Sequence, residues 1–384
     1  MPSLESNIPL SLYIHLPWCI QKCPYCDFNS HALRGTIPET AYVNALLEEL
    51  DDYLPWIAHR PLISIFFGGG TPSLFSPEAI GLLLERVAHR LTYSPTIEIT
   101  LEANPGTAEQ VRFHGYRAAG INRLSLGVQS LQDDKLKKLG RIHGSKEALR
   151  AIEMGRQAGF RLNVDLMFGL PDQTPEDAYH DLKKALDYQI AHLSWYQLTI
   201  EPNTIFYKRT PVLPAERVIA EIEETGKALI QSYGLEQYEV SAYAKAGEAC
   251  AHNLNYWTFG DYIGIGAGAH SKLTLADTGE IIRFAQVKMP EEYLNVEKRR
   301  LLSRIFPTPL EPQRLPFEFM LNALRLTEGI EIALFNERTG LAGDSIAPYL
   351  NKAIARGLLQ ANPARIQPTA LGKKYLNDLV GMFL

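Results

Sequence analysis

Apolar runs of strand length alternate with stretches of helical period through the first half of the chain, and this alternation sets the expected fold. The first run is LSLYIHL, residues 10 to 16. It is followed from Pro38 to Leu54 by a helical pattern with Tyr42, Leu46, Leu47, Leu50 and Leu54 on one face. The unit recurs. ISIFFGGGTPS (63–73) opens into a glycine turn before a helix over 76–91, and TIEITLEANPG (96–106) leads to a helix over 107–119. RLSLGVQS (123–130), RLNVDLMFGLP (161–171) and HLSWYQLTIEP (192–202) are three more strands with helical stretches between and after them. Strands alternating with helices pair in parallel through right-handed crossovers. Six such units favour an α/β partial barrel over an open doubly wound sheet.

Beyond the repeats the pattern changes. A helix is expected over 214–233 and an additional strand over 235–244, and 252–271 reads HNLNYWTFGDYIGIGAGAHS, rich in aromatics and glycine. Past Met289-Pro290, prolines stand at 307, 309, 312 and 316, with helical patterns near 317–326, 330–338 and 344–356. The end of the chain suggests a short β-hairpin followed by a helix, as in a winged helix. The expected division is therefore a barrel unit with an extension over 1–290 and a small helical unit over 291–384.

Composition narrows the function. At 384 residues, 46% hydrophobic and 21% charged, the chain is that of a globular protein with more than one core. Its 38 basic and 43 acidic residues give a net charge of -5, which supplies no basic field for nucleic acid. The N-terminal sequence lacks the pattern of a signal peptide, and no apolar run has bilayer-spanning length. A reducing, cytoplasmic setting is expected.

Three of the four cysteines fall within eight residues. Cys19, Cys23 and Cys26 stand in C-x3-C-x2-C spacing within YIHLPWCIQKCPYCDF, and Cys250 lies far downstream. Three thiolates on one loop leave an inorganic centre one protein ligand short of the usual four. Zinc held by the three cysteines with His15 or His31 is the alternative, and a disulfide framework is weaker still.

The cysteine spacing resembles that of the radical S-adenosylmethionine (SAM) enzymes. The surrounding Tyr13, His15, Pro17 and Pro24-Tyr25 resemble the branch that contains the HemN and HemW families. That resemblance implies a six-stranded partial barrel, a [4Fe-4S] cluster on Cys19, Cys23 and Cys26, and SAM on the iron left open. By matching segments it also implies that Tyr13, Gly69 and Glu102 touch the cluster-bound SAM. Tyr25, Gly70, Thr71, Gln129, Arg141 and Asp165 match residues around a second SAM in HemN. From the residues alone, the glycine run 68–70 lets backbone approach a ligand, and Asp165 inside an apolar strand needs a partner, for which Arg123 or Arg141 would serve.

HNLNYW (252–257) resembles the HNxxYW segment of the HemW family, which makes His252 the candidate haem ligand, with Tyr256 and Trp257 offering apolar area to a porphyrin. Cys250 and His270 are lesser candidates, read as structural. HemN carries a glycine and a fourth cysteine after the third, where this chain has Asp27-Phe28, and an extension ahead of its first strand where about a dozen residues precede Tyr13. The resemblance thus implies haem and a haem-acceptor protein as partners, membrane-associated acceptors included. The alternative is oxidative decarboxylation of a porphyrinogen.

Overall fold

The computed structural model describes residues 8–57, 60–106, 112–275, 277–303 and 308–384. The six expected strands are present as β1 (Leu10–Leu16), β2 (Leu62–Gly69), β3 (Tyr93–Ala103), β4 (Arg123–Gln129), β5 (Arg161–Phe168) and β6 (His192–Gln197). Each pairs in parallel with the next. The intervening helices run over Glu39–Ile57, Pro77–Ala88, Phe113–Ala118, Ser145–Gln157 and Pro175–Leu186. Residues 107–111 of the helix expected over 107–119 lie outside the described residues. Local chemistry sets the helix starts: Ser76 and Thr174 accept from the N–H groups of Ala79 and Asp177, each with proline at the first helical position.

The strands are buried on both faces, and alternation sorts what each face carries. Leu12, Ile14, Ile65, Phe67, Leu101, Leu124 and Val164 join the residues of the helices in one large apolar cluster. Burying such a side chain stabilises by about 2 kcal/mol. The opposite positions are polar: Ser11, Ser64, Glu98, Thr100, Arg123, Ser125, Asn163 and His192 are all buried. The concave side of the sheet is therefore a polar lining that must satisfy itself or hold a ligand.

The expected strand over 235–244 is a bulged hairpin, β7 (Glu236–Glu239) and β8 (Ala242–Ala244), antiparallel to β6. The glycine-rich segment holds a helix, Ala251–Trp257, and then β9 (Asp261–Ile265), a seventh parallel strand paired with β1 from Leu10↔Asp261 to Ile14↔Ile265. Antiparallel β10 (His270–Thr274), β11 (Ile281–Ala285) and β12 (Thr308–Pro309) extend this edge, so that among the described residues the expected partial barrel is part of one unclosed twelve-stranded sheet. A second apolar cluster gathers Phe319, Phe335, Ile346 and Leu379 with Phe259 from the extension. Its helices cover Leu315–Ala323, Ile332–Thr339 and Ala347–Ala355, and the pairing of Ile330–Glu331 with Arg365–Ile366 supplies the small sheet of a winged-helix-like unit. Around residue 290 the chain still packs on the barrel: the Tyr293 hydroxyl donates to buried Glu49 of the first helix.

Candidate functional site

The loop after β1 carries the three cysteines. It is pinned at its base, where Trp18–Cys19 pairs with His31–Ala32 and the N–H groups of His31 and Leu33 donate to the carbonyls of Pro17 and Cys19. All three cysteines line one cavity of about 360 Å³ at the C-terminal ends of the parallel strands. Barrel enzymes assemble their sites there. Among the described residues no three His, Cys, Asp or Glu side chains converge on a single-ion position. His15, a zinc ligand in the alternative reading, is engaged at both ring nitrogens, with the Tyr13 hydroxyl at 3.1 Å and the Asn29 carbonyl at 2.8 Å.

Two thiols are bracketed by one chain of hydrogen bonds. Thr71 Oγ1 donates to Cys19 Sγ at 3.5 Å and accepts from Asn104 Nδ2 at 2.9 Å. The Arg141 guanidinium donates to Asn104 Oδ1, to the Gly127 carbonyl at 2.7 Å and to Cys23 Sγ at 3.6 Å. Cys26 Sγ lies 3.6 Å from the Ser30 hydroxyl. Burial pushes the Cys19 thiol up, against the donation from Thr71.

The glycine run approaches protein more closely than cavity. A Cβ on Gly70 would lie 2.6 Å from the Trp18 carbonyl oxygen, and one on Gly69, at φ +112°, would fall on the His15 ring. A Cβ on Gly68 would meet Tyr13 and Glu102. The missing side chains thus let the end of β2 lie directly against the base of the cysteine loop.

Glu102 accepts from the Gly69 N–H, yet burial and the charge of Asp165 push its carboxyl up to about 8. Asp165 accepts from Ser125 at 3.1 Å and Asn163 at 2.8 Å. Burial raises it despite these bonds. Its hydrogen-bond partners are neutral: Arg123 pairs instead with Glu98, at 3.5 Å. A register shift between Leu126 and Gln129 and a φ of +69° turn Gln129 toward the cavity, where it accepts from the Tyr196 hydroxyl at 2.8 Å. Tyr25, Gly70, Thr71, Gln129, Arg141 and Asp165 therefore share the smaller cavity with the cysteines.

Tyr13 instead lines an adjoining cavity of about 800 Å³, whose wall includes Cys26, Gly69, Glu102 and Trp257, common to both. His252 faces this second space. Its Nδ1 lies 3.0 Å from the Ser64 hydroxyl, which itself donates to Ser11 at 2.7 Å. Nδ1 is thereby the protonated nitrogen, and Nε2 has no hydrogen-bond partner among the described residues. Burial lowers the ring to about 4, so the imidazole is neutral at neutral pH. Phe66 lies against it, with ring centroids 5.0 Å apart.

Sequence reading missed the residues that hold these groups. Asn104 joins Arg141 to Thr71. Glu98 takes the His252 N–H at 3.2 Å and the Cys250 thiol at 3.3 Å, fixing the start of the helix that carries the histidine. Cys250 is buried, and burial pushes its thiol up to about 12. The available signal was the polar alternation inside otherwise apolar strands.

Residues 13–185 match the radical SAM superfamily, and residues 310–373 match the HemN C-terminal domain. The heme chaperone HemW of Escherichia coli (strain K12) is 51% identical over 98% of both chains. The chain belongs to the HemW family. The heme chaperone HemW of Bacillus subtilis (strain 168) is 34% identical, covering 97% of this chain and 99% of its own. Escherichia coli coproporphyrinogen III oxidase (HemN), a radical SAM enzyme, superposes with a TM-score of 0.80 at 23% identity, over 98% of this chain and 90% of its own, which establishes the fold.

The family brings with it a [4Fe-4S] cluster and SAM. The donor set here fits both groups. Thiols flanked by a guanidinium and hydroxyls suit thiolates ligating iron, and the nearby carboxylates Glu102 and Asp165 suit a cationic nucleotide. No described helix is long and apolar enough to cross a membrane.

Proposed function

We propose that the chain is a haem chaperone. It holds a [4Fe-4S] cluster on Cys19, Cys23 and Cys26, SAM beside Glu102 and Asp165, and haem through His252, and it passes the haem to an acceptor protein. One observation carries this reading: a neutral imidazole with an unengaged Nε2 faces an aromatic-walled cavity of about 800 Å³, within the roughly 300–1,000 Å³ typical of ligand sites. That cavity adjoins the cysteine cavity. The names of the full-length relatives support the same activity.

Within this reading each residue has a task. Cys19, Cys23 and Cys26 supply the thiolates, and Arg141 and Thr71 orient and neutralise two of them. Gly69 and Gly70 hold the end of β2 against the loop. Tyr13 and Glu102 bound the SAM methionyl end, while Tyr25, Gln129 and Asp165 bound the rest of the smaller cavity. With both groups bound and the cluster reduced, the site would supply one-electron reductive cleavage of a sulfonium, the electron coming from the cluster. The Ser11–Ser64 pair holds the His252 tautomer.

A cytoplasmic setting is proposed with it, supported by four free cysteines. Residues 1–290 are proposed as the cofactor-bearing unit and 291–384 as the covering unit, whose first turns join the barrel wall through Tyr293. The decarboxylase reading is less supported, because Asp27-Phe28 replaces the Gly-Cys pair of HemN. Titration of reconstituted protein with haem tests the proposal. The wild type is expected to give a saturable Soret shift that His252→Ala loses, and an unchanged spectrum and affinity in the variant would remove His252 from the site.

A further inference from the structure

The larger cavity is chemically polarised. At one end His252 is packed on Phe66 and near Tyr13, whose rings lie 5.0 and 6.3 Å from it. At the other end stand two basic side chains, His270 at the start of β10 and Lys288 just beyond β11. Tyr256 and Tyr262, 5.0 Å apart, line the space between.

The other basic groups nearby are committed. Lys22 Nζ donates to the carbonyls of Phe28 and Ser30, at 2.9 and 3.2 Å. Lys272, two residues along β10 on the same face as His270, is buried and bonded to Asp261 at 3.0 Å. Arg283 pairs with Glu318 at 3.0 Å. Among the described residues no side-chain hydrogen bond or ion pair engages the His270 ring or the Lys288 ammonium. The Lys288 backbone, by contrast, is fixed: its carbonyl accepts from Asn29 Nδ2 at 2.9 Å, and Asn29 also donates to the Ala267 carbonyl at 2.9 Å.

Sheet order sets the separation. Ser64, which holds His252, lies on β2, and β10 lies three strands away with β9 and β1 between them, which is about 14 Å at the usual interstrand spacing. Such a backbone separation leaves room for a porphyrin, from metal to edge carboxylates, between the His252 ring and the side chains of His270 and Lys288 that line the same cavity.

We propose that His270 and Lys288 form a carboxylate-binding end of this cavity, which takes the propionates of a porphyrin whose iron is held at His252. The inference rests on the haem reading above and deepens it, because it orients the ligand. The vinyl edge is directed inward against the aromatic residues, and the propionates face the rim. Asn29 joins the cysteine loop directly to the backbone of Lys288.

Soret titrations with haem and with haem dimethyl ester, on reconstituted wild type and on the Lys288→Ala/His270→Ala double variant, test this. The wild type is expected to bind haem about tenfold more tightly than the ester, the scale of one partly exposed ion pair to Lys288 together with a hydrogen bond from His270. The double variant should bind both at the ester's affinity, with the Soret position unchanged because His252 is retained. Equal wild-type affinities for haem and ester, or undiminished haem affinity in the double variant, would overturn the carboxylate site and leave the haem reading standing. No saturable binding of either ligand by the wild type would remove both.

Discussion

Arg141 places its guanidinium 3.6 Å from the sulfur of Cys23, although 118 positions separate the two residues. The same guanidinium reaches Cys19 through Asn104 and Thr71, so one cation serves two of the three thiols. A cation beside thiolates favours the more negative, reduced form of a cluster. Arg141→Met is therefore expected to lower the cluster's reduction potential by about 60 mV, a tenfold change for one electron. Asn104→Leu should move it the same way by less. Potentiometric titration of the reconstituted variants measures both.

Glu102 carries a pH-dependent penalty. Its carboxyl titrates near 8 in the fold against 4.5 for the free group. Folding thus favours its protonated form, and stability is lost as pH rises from about 4.5 through 8. Glu102→Gln should stabilise the cluster-free protein across that window, by on the order of 1–3 kcal/mol at pH 8.5. SAM binding should change in the opposite sense, since the ionised carboxylate attracts its cationic groups. Wild-type affinity for SAM should rise with pH through 8, and the variant should bind weakly at every pH. Chemical denaturation and SAM calorimetry across pH 5–9 separate the two effects.

Cys19 must lose a proton that burial helps it keep. Metal loading therefore competes with protonation and releases protons. Iron-sulfide reconstitution should be more complete at alkaline than at neutral pH, and Thr71→Val should deepen that dependence by removing the donor to Cys19. Iron and acid-labile sulfide per chain, measured after loading at several pH values, checks this.

Glu98 balances Arg123 and Arg161, at 3.5 and 3.3 Å, while holding the start of the His252 helix. Removing the acid leaves buried guanidinium charge uncompensated. Glu98→Leu should cost about 3–5 kcal/mol of stability. Glu98→Gln keeps an acceptor for the His252 N–H, and should cost less stability and retain more haem affinity. Equal haem affinity in both variants would show that Glu98 does not position the histidine.

The strand-helix alternation was legible because each parallel strand buries one apolar face against the helices, so apolar residues recur at every second position along it. The cysteine loop was legible from spacing alone. β9 was not, since Gly264 and Gly266 make its surroundings read as loop. Gly264 in fact admits β10, as a Cβ there would lie 2.1 Å from the His270 carbonyl. Asn104 was hidden for a different reason. Asn-Pro signals a turn, and its bridging role exists only because the fold brings Arg141 and Thr71 to it. Asp165 was expected to need Arg123 or Arg141, and the Arg141 charge does act on it, but its hydrogen bonds come from neutral donors, among them Ser125 and Asn163. Both lie at alternate strand positions already marked by polarity.

The EPR spectrum of anaerobically reconstituted, dithionite-reduced protein, recorded with and without SAM, tests the three-thiolate centre most directly. The expected result is a [4Fe-4S] signal whose g values shift on adding SAM and which is lost from Cys19→Ala, Cys23→Ala and Cys26→Ala. A signal indifferent to SAM, or one that survives removal of any of the three cysteines, would contradict an iron held open for that ligand.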